Sequence, residues 1–104
     1  MVFARRAPSE PAPVVEGDLP TGGAVAGAML GIANYAWEKN DNTIVPGAIC
    51  DNLTSFGGML AEPSQTKLTD FIRHGAAGSS GTVVEPFALQ MKFPHPLLHV
   101  YYTR

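Results

Sequence analysis

Two segments constrain this chain most, PGAICDNLTSFGG at 46–58 and GAAGSSGTVVEP at 75–86. In both, glycines, hydroxyls and carboxylates crowd around a short apolar run, and a strand that merely fills a core does not require them. The run TIVPGAIC at 43–50 reads as a strand with a bend at Pro46 and Gly47. Proline has no N–H to give to a ladder, so such a bend belongs at an edge, a bulge or a strand start. The second segment becomes β-branched at Thr82, Val83 and Val84, which predicts a strand over 76–85. Between them Leu68, Phe71 and Ile72 share a helical face, with Arg73 and His74 in the last turn. Ser64 or Thr66 is placed to cap the start of that helix and Gly75 its end. Strand, helix and strand in this order predict an α/β fold with a parallel strand–helix–strand layer.

Upstream, AVAGAMLGIANYAW at 24–37 places Met29, Ile32, Ala33 and Trp37 at helical spacing, and a helix is expected there. A buried strand is the second reading, because the run is apolar on nearly every side. Asn40, Asp41, Asn42 and Thr43 supply turn chemistry. Residues 1–22 carry Pro8, Pro11, Pro13 and Pro20 and few large apolar side chains, so they are expected to form a disordered proline-rich arm. Residues 23–104 then make a single small α/β domain, ending in a strand or short helix over 97–102.

A formal net charge of −2 and the lack of a basic stripe argue against nucleic-acid binding. No apolar run approaches the roughly 18 residues that a membrane span needs. The first residues, MVFARRAPSEPAPVVEG, include no apolar stretch of the kind that defines a secretory signal. A lone cysteine, Cys50, rules out an internal disulfide and a cysteine-rich zinc site.

The candidate chemistry gathers at the ends of the expected strands, where α/β folds place ligand and catalytic groups. Cys50, Asp51 and Glu85 are the candidate catalytic residues. Asp51, Asn52, Thr54 and Ser55 on the first segment, with Ser79 and Ser80 on the second, are the candidate binding residues. Asp and Asn also order loops through backbone hydrogen bonds, which is the plainer account of Asp51 and Asn52. Gly57 and Gly58 read as relief for a tight backbone passage. The glycines at 75, 78 and 81 match neither a dinucleotide fingerprint nor a P-loop, and no cofactor is expected. His95 and His99 have the spacing of a helical metal pair, but Pro94 and Pro96 flank His95 and make a poor helical context, so no metal site is expected.

The two segments, followed by KFPHP at 92–96, resemble an uncharacterised bacterial family found alongside exosortase-type protein-sorting systems, over roughly residues 28–104. The resemblance implies a cell-envelope or extracytoplasmic setting. It also implies a domain that continues past Arg104, as a piece of a larger caspase-like or Rossmann-like domain with edges open to self-association or to a parent domain. The order of elements distantly resembles caspase-fold cysteine peptidases of the gingipain type, in which the nucleophilic cysteine follows a core strand. In that family the partner histidine precedes the cysteine, whereas His74, His95 and His99 all follow Cys50. The expectation is a non-catalytic ligand-binding or interaction piece, with a remnant cysteine hydrolase using Cys50 as the alternative.

Overall fold

The computed structural model describes residues 2–4, 14–15, 23–39, 41–84, 89, 91 and 93–103. Its centre is a pair of parallel strands, β3 (Ala24–Leu30) and β4 (Thr43–Asn52). Two short antiparallel strands, β1 (Val2–Ala4) and β2 (Val14–Val15), extend the sheet beyond β3 in the order β2-β1-β3-β4. Helix α1 (Thr69–Arg73) and helix α2 (Pro96–Tyr102) complete a mixed α/β architecture.

The apolar run at 24–37 is therefore a strand followed by a 3₁₀ turn at Trp37–Lys39, and the expected helix is absent. The reason is burial on both faces. Val25 to Leu30 are all buried, so the run carries no polar stripe, and pairing with β1 and β4 satisfies its backbone in the extended form. The arm also departs from expectation where it is described, since Val2–Ala4 and Val14–Val15 pair as strands. The rest of residues 1–22 lies outside the described residues.

The bend in β4 falls where proline requires it. Val25 pairs with Ile44 and Gly27 with Ile49, so β4 carries extra residues across the shift. Pro46 sits in that bulge, and Gly47 adopts φ +93°, a conformation most side chains avoid. On its far side β4 pairs in parallel with the next segment through two bridges, Ile49 with Gly78 and Asn52 with Gly81. The expected strand at 76–85 is thus reduced to a narrow ladder, in which Cys50 N–H donates to the Gly78 carbonyl (3.0 Å) and Asn52 N–H to that of Ser80 (3.1 Å). Close backbone approach explains its small residues. A Cβ on Gly81 would lie 2.5 Å from the Gly58 nitrogen, and one on Gly58 would lie 2.3 Å from the Gly81 oxygen.

The buried core gathers Val25, Ala28, Leu30, Ile44 and Cys50 of the sheet with Phe71 of α1 and with Trp37. Tyr35 stacks on Phe71 at 5.1 Å and Trp37 meets the same ring edge-on at 5.8 Å. Helix α1 ends in a Schellman pattern, with Ala76 N–H on the Phe71 carbonyl and Gly75 N–H on that of Ile72. It is shorter than the sequence suggests. Thr66 is not its cap, because the hydroxyl is bonded to the backbone of Tyr35 in both directions, at 2.9 Å each.

Phe71 is fully buried while Ile72 is 43% exposed, so only the first anchors α1. Phe71→Ala is expected to cost about 3–5 kcal/mol and Ile72→Ala about 1 kcal/mol or less. Denaturant midpoints of the two variants check this, and equal losses would contradict the register of α1.

Candidate functional site

Side chains alternate along a strand, so the neighbours Cys50 and Asp51 serve opposite faces of the sheet. Cys50 points into the apolar cluster, is fully buried, and is opposed by Ala28 on the adjoining strand. Burial pushes its thiol up to about 12, and the charge of Asp51 adds to the shift. Burial and a raised pKa both disfavour the thiolate that nucleophilic attack requires.

Asp51 faces α2. Its carboxylate Oδ2 lies 2.6 Å from Nε2 of His99, with both side chains almost wholly buried. Its Oδ1 accepts two hydrogen bonds from Ser80, from the backbone N–H at 2.8 Å and the hydroxyl at 2.6 Å. Burial by itself would raise the Asp51 carboxyl, but the hydrogen bonds from His99 and Ser80 outweigh it and hold the group below its ordinary value. The carboxyl is therefore ionised near neutrality. An ionised carboxylate only accepts, so Nε2 of His99 carries the proton in this bond.

The helix that delivers His99 begins where proline helps it. Pro96 occupies the first turn, where its missing N–H costs nothing, and His95 caps the helix by accepting from the Leu97 N–H at 3.2 Å. The expectation that the prolines around His95 spoil a helix is corrected here. Pro96 starts one, with His95 outside it and His99 buried within. The two histidines do not form a metal pair, since His99 is committed to Asp51. The far end of α2 is tied by the Tyr102 hydroxyl, which donates to the Gly47 carbonyl at 2.6 Å.

Above the Asp51–His99 pair lies a cleft of about 310 Å³, between the segment from Gly78 to Ser80 and α2. Ile49, Pro94 and Leu98 give it an apolar lining. The Ser79 hydroxyl oxygen at this cleft is buried and has no hydrogen-bond partner among the described residues. A volume of this size suits a small ligand.

The remaining candidates divide between scaffold and silence. Asn52 is buried on the α1 side, where its Nδ2 donates to the Thr66 carbonyl at 2.8 Å. Thr54 is buried beside it, and a Cβ on Gly57 would lie 2.7 Å from Asn52 Nδ2, a collision, and 3.1 Å from Thr54 Oγ1, a tight contact. These residues shape the turn after β4 and do not face the cleft. Ser55 is half-buried in that turn. Glu85 lies outside the described residues. The residue that sequence reasoning missed is His99, weighed there only as half of a metal pair and as a histidine that follows Cys50. The available signal was Asp51 itself, a carboxylate beside apolar Ile49 and Cys50 that demands a partner once the strand is buried.

Compared with protein-family models, curated proteins and solved structures, the chain matches none. No helix among the described residues is long and apolar enough to cross a membrane.

Because the folded Asp51 carboxyl is depressed, its contribution to stability is present above the ordinary value of 3.8 and is lost as pH falls through the folded value. Asp51→Asn should cost about 1.5–3 kcal/mol at pH 7, since it replaces the charged acceptor of the His99 and Ser80 hydrogen bonds with a neutral amide. The gap between wild type and variant should shrink as pH falls below the ordinary carboxyl value of 3.8 and through the lower folded value. Urea unfolding at a series of pH values tests this, and a gap independent of pH would contradict it.

Proposed function

We propose that this chain is a non-catalytic binding domain whose cleft, formed by the segment from Gly78 to Ser80 and α2, receives a small, mainly apolar ligand carrying one hydrogen-bonding group. The observation that carries this reading is the buried Ser79 hydroxyl, without a hydrogen-bond partner among the described residues, beside the apolar surface that Ile49, Pro94 and Leu98 give the cleft above Asp51 and His99. A buried hydroxyl without a partner is unfavourable by about 1–3 kcal/mol, and a ligand that supplies the partner recovers that cost. Leu98, 60% exposed at the rim, gains burial when the cleft is filled. Asp51 and His99 act as the fixed floor. The carboxylate already accepts three hydrogen bonds, so it is not a free base.

The resemblance of the three sequence motifs to exosortase-associated proteins supports an envelope-associated setting for such a domain. A cysteine hydrolase is the weaker reading, because the fully buried, high-pKa thiol of Cys50 has neither substrate access nor a stabilised anion.

Titration with p-cresol and with toluene, followed by amide shifts in NMR spectra, tests the cleft. Saturable shifts are expected at Gly78, Ser79 and Leu98, with p-cresol binding more tightly than toluene. Ser79→Ala should remove that preference while leaving toluene binding unchanged. Absence of shifts at these amides up to the solubility limit would defeat the reading.

The thiol gives a separate check. Cys50 in the folded protein should react with iodoacetamide at least about 100-fold more slowly than in urea, with no inflection below pH 9. A titration midpoint near neutrality, abolished by replacing one histidine, would restore the hydrolase.

A further inference from the structure

We propose that Glu38, Asp70 and His74 form a site for one divalent cation of the zinc class, on the face of the protein opposite the cleft and independent of it. One carboxylate oxygen from each acid and one ring nitrogen lie within 4.8 Å of one another. They come from two elements. Glu38 sits in the 3₁₀ turn beside Trp37, while Asp70 and His74 are one turn apart on and just after α1. The packing of Trp37 against Phe71 holds those elements together, so the ligands are gathered by the aromatic core and not by the cation.

The state of Asp70 is the observation that points to a ligand. Its side chain is only 10% exposed. Oδ1 pairs with the Arg73 guanidinium at 2.5 Å, whereas Oδ2 is buried and has no hydrogen-bond partner among the described residues. A carboxylate oxygen held away from water without a donor is unfavourable, and a cation satisfies it.

His74 is oriented for the part. Its Nδ1 lies 2.8 Å from the backbone carbonyl of Asp70, and only a protonated nitrogen can make that bond. In the neutral ring this leaves the lone pair on Nε2. Donation of one ring N–H to a backbone carbonyl is the arrangement that fixes metal-binding histidines. Nε2 then faces Glu38 Oε2 at 3.8 Å, too far for a hydrogen bond. Two ligands of one tetrahedral zinc stand about 3.3 Å apart, from bond lengths near 2.0–2.1 Å. Glu38, half-exposed, has the freedom to close the difference. One nitrogen and two carboxylates with a position left for water suit zinc better than calcium, which takes six to eight oxygens.

Zinc titration by calorimetry on the whole chain tests the site, with cobalt as a spectroscopic substitute and the single Trp37 as a nearby fluorescence reporter. Binding of one equivalent at micromolar or tighter affinity is expected, with intense visible absorption from tetrahedral cobalt. Glu38→Gln and His74→Gln should each weaken it at least about 10-fold, and His95→Gln, at the exposed cap of α2, should leave it unchanged. No binding at 1 mM zinc would overturn the proposal, as would binding lost only in His95→Gln. If His74→Gln fails to fold, Glu38→Gln decides alone, since its side chain is solvent-facing. Undiminished affinity in that variant would mean that Glu38 and His74 only form an ion pair.

Discussion

The arrangement depends most on the Asp51 carboxylate. A charge removed from water must be met by hydrogen bonds or opposite charge, and this one is met from two directions. Ser80 approaches from the neighbouring ladder and His99 from α2, so one side chain fastens three pieces of chain that are distant in sequence. Apolar burial would not position α2 as firmly. Leu97, Leu98, Tyr101 and Tyr102 of that helix are all more than half exposed. What fixes α2 is the buried pair at His99, with the Tyr102 hydroxyl on Gly47 at its end. The cleft exists because the helix is held by polar points and not by a continuous apolar seal.

Strand alternation divides the labour between the two faces. On the α1 side the sheet meets Phe71, Trp37 and Tyr35, and Cys50 is simply one of the apolar contributors. On the α2 side the adjacent residue carries the charge. A chain bearing a thiol and a carboxylate side by side thus keeps them apart electrostatically and sterically, although the residual influence of Asp51 still raises the thiol. The same aromatic cluster that seals the α1 side brings Glu38 next to Asp70 and His74. Structural packing and candidate chemistry are thereby coupled on both faces.

Local chemistry made much of the fold legible. The bulge at Pro46 and Gly47, the left-handed Gly75 after α1 and the tight passage at Gly58 each follow from what one residue can or cannot do. The parallel order of β4, α1 and the ladder at Gly78 and Gly81 follows from the alternation of apolar periods. The run from Ala24 to Leu30 was misread because an apolar stretch of that length satisfies both periods, and only its neighbours decide. Alanine and methionine favour a helix in isolation, but strands on both sides satisfy the backbone of an extended chain whose side chains are buried on both faces. The capping role given to Thr66 failed for a related reason, since the hydroxyl found a partner at Tyr35, 31 residues away.

The sequence by itself determined the class of fold, the position of the bends, the lone thiol and the set of polar residues from which a site had to be drawn. Tertiary structure decided which of them meet. His99 stands 48 residues from Asp51, and Glu38 stands more than 30 from Asp70 and His74, so neither grouping leaves a spacing pattern. Pairing across such distances is set by how strands alternate and where helices dock. Whether a carboxylate is bonded, buried or left without a donor is a property of that packing. The fates of Asp51 and Asp70, chemically identical in the chain, differ for that reason alone.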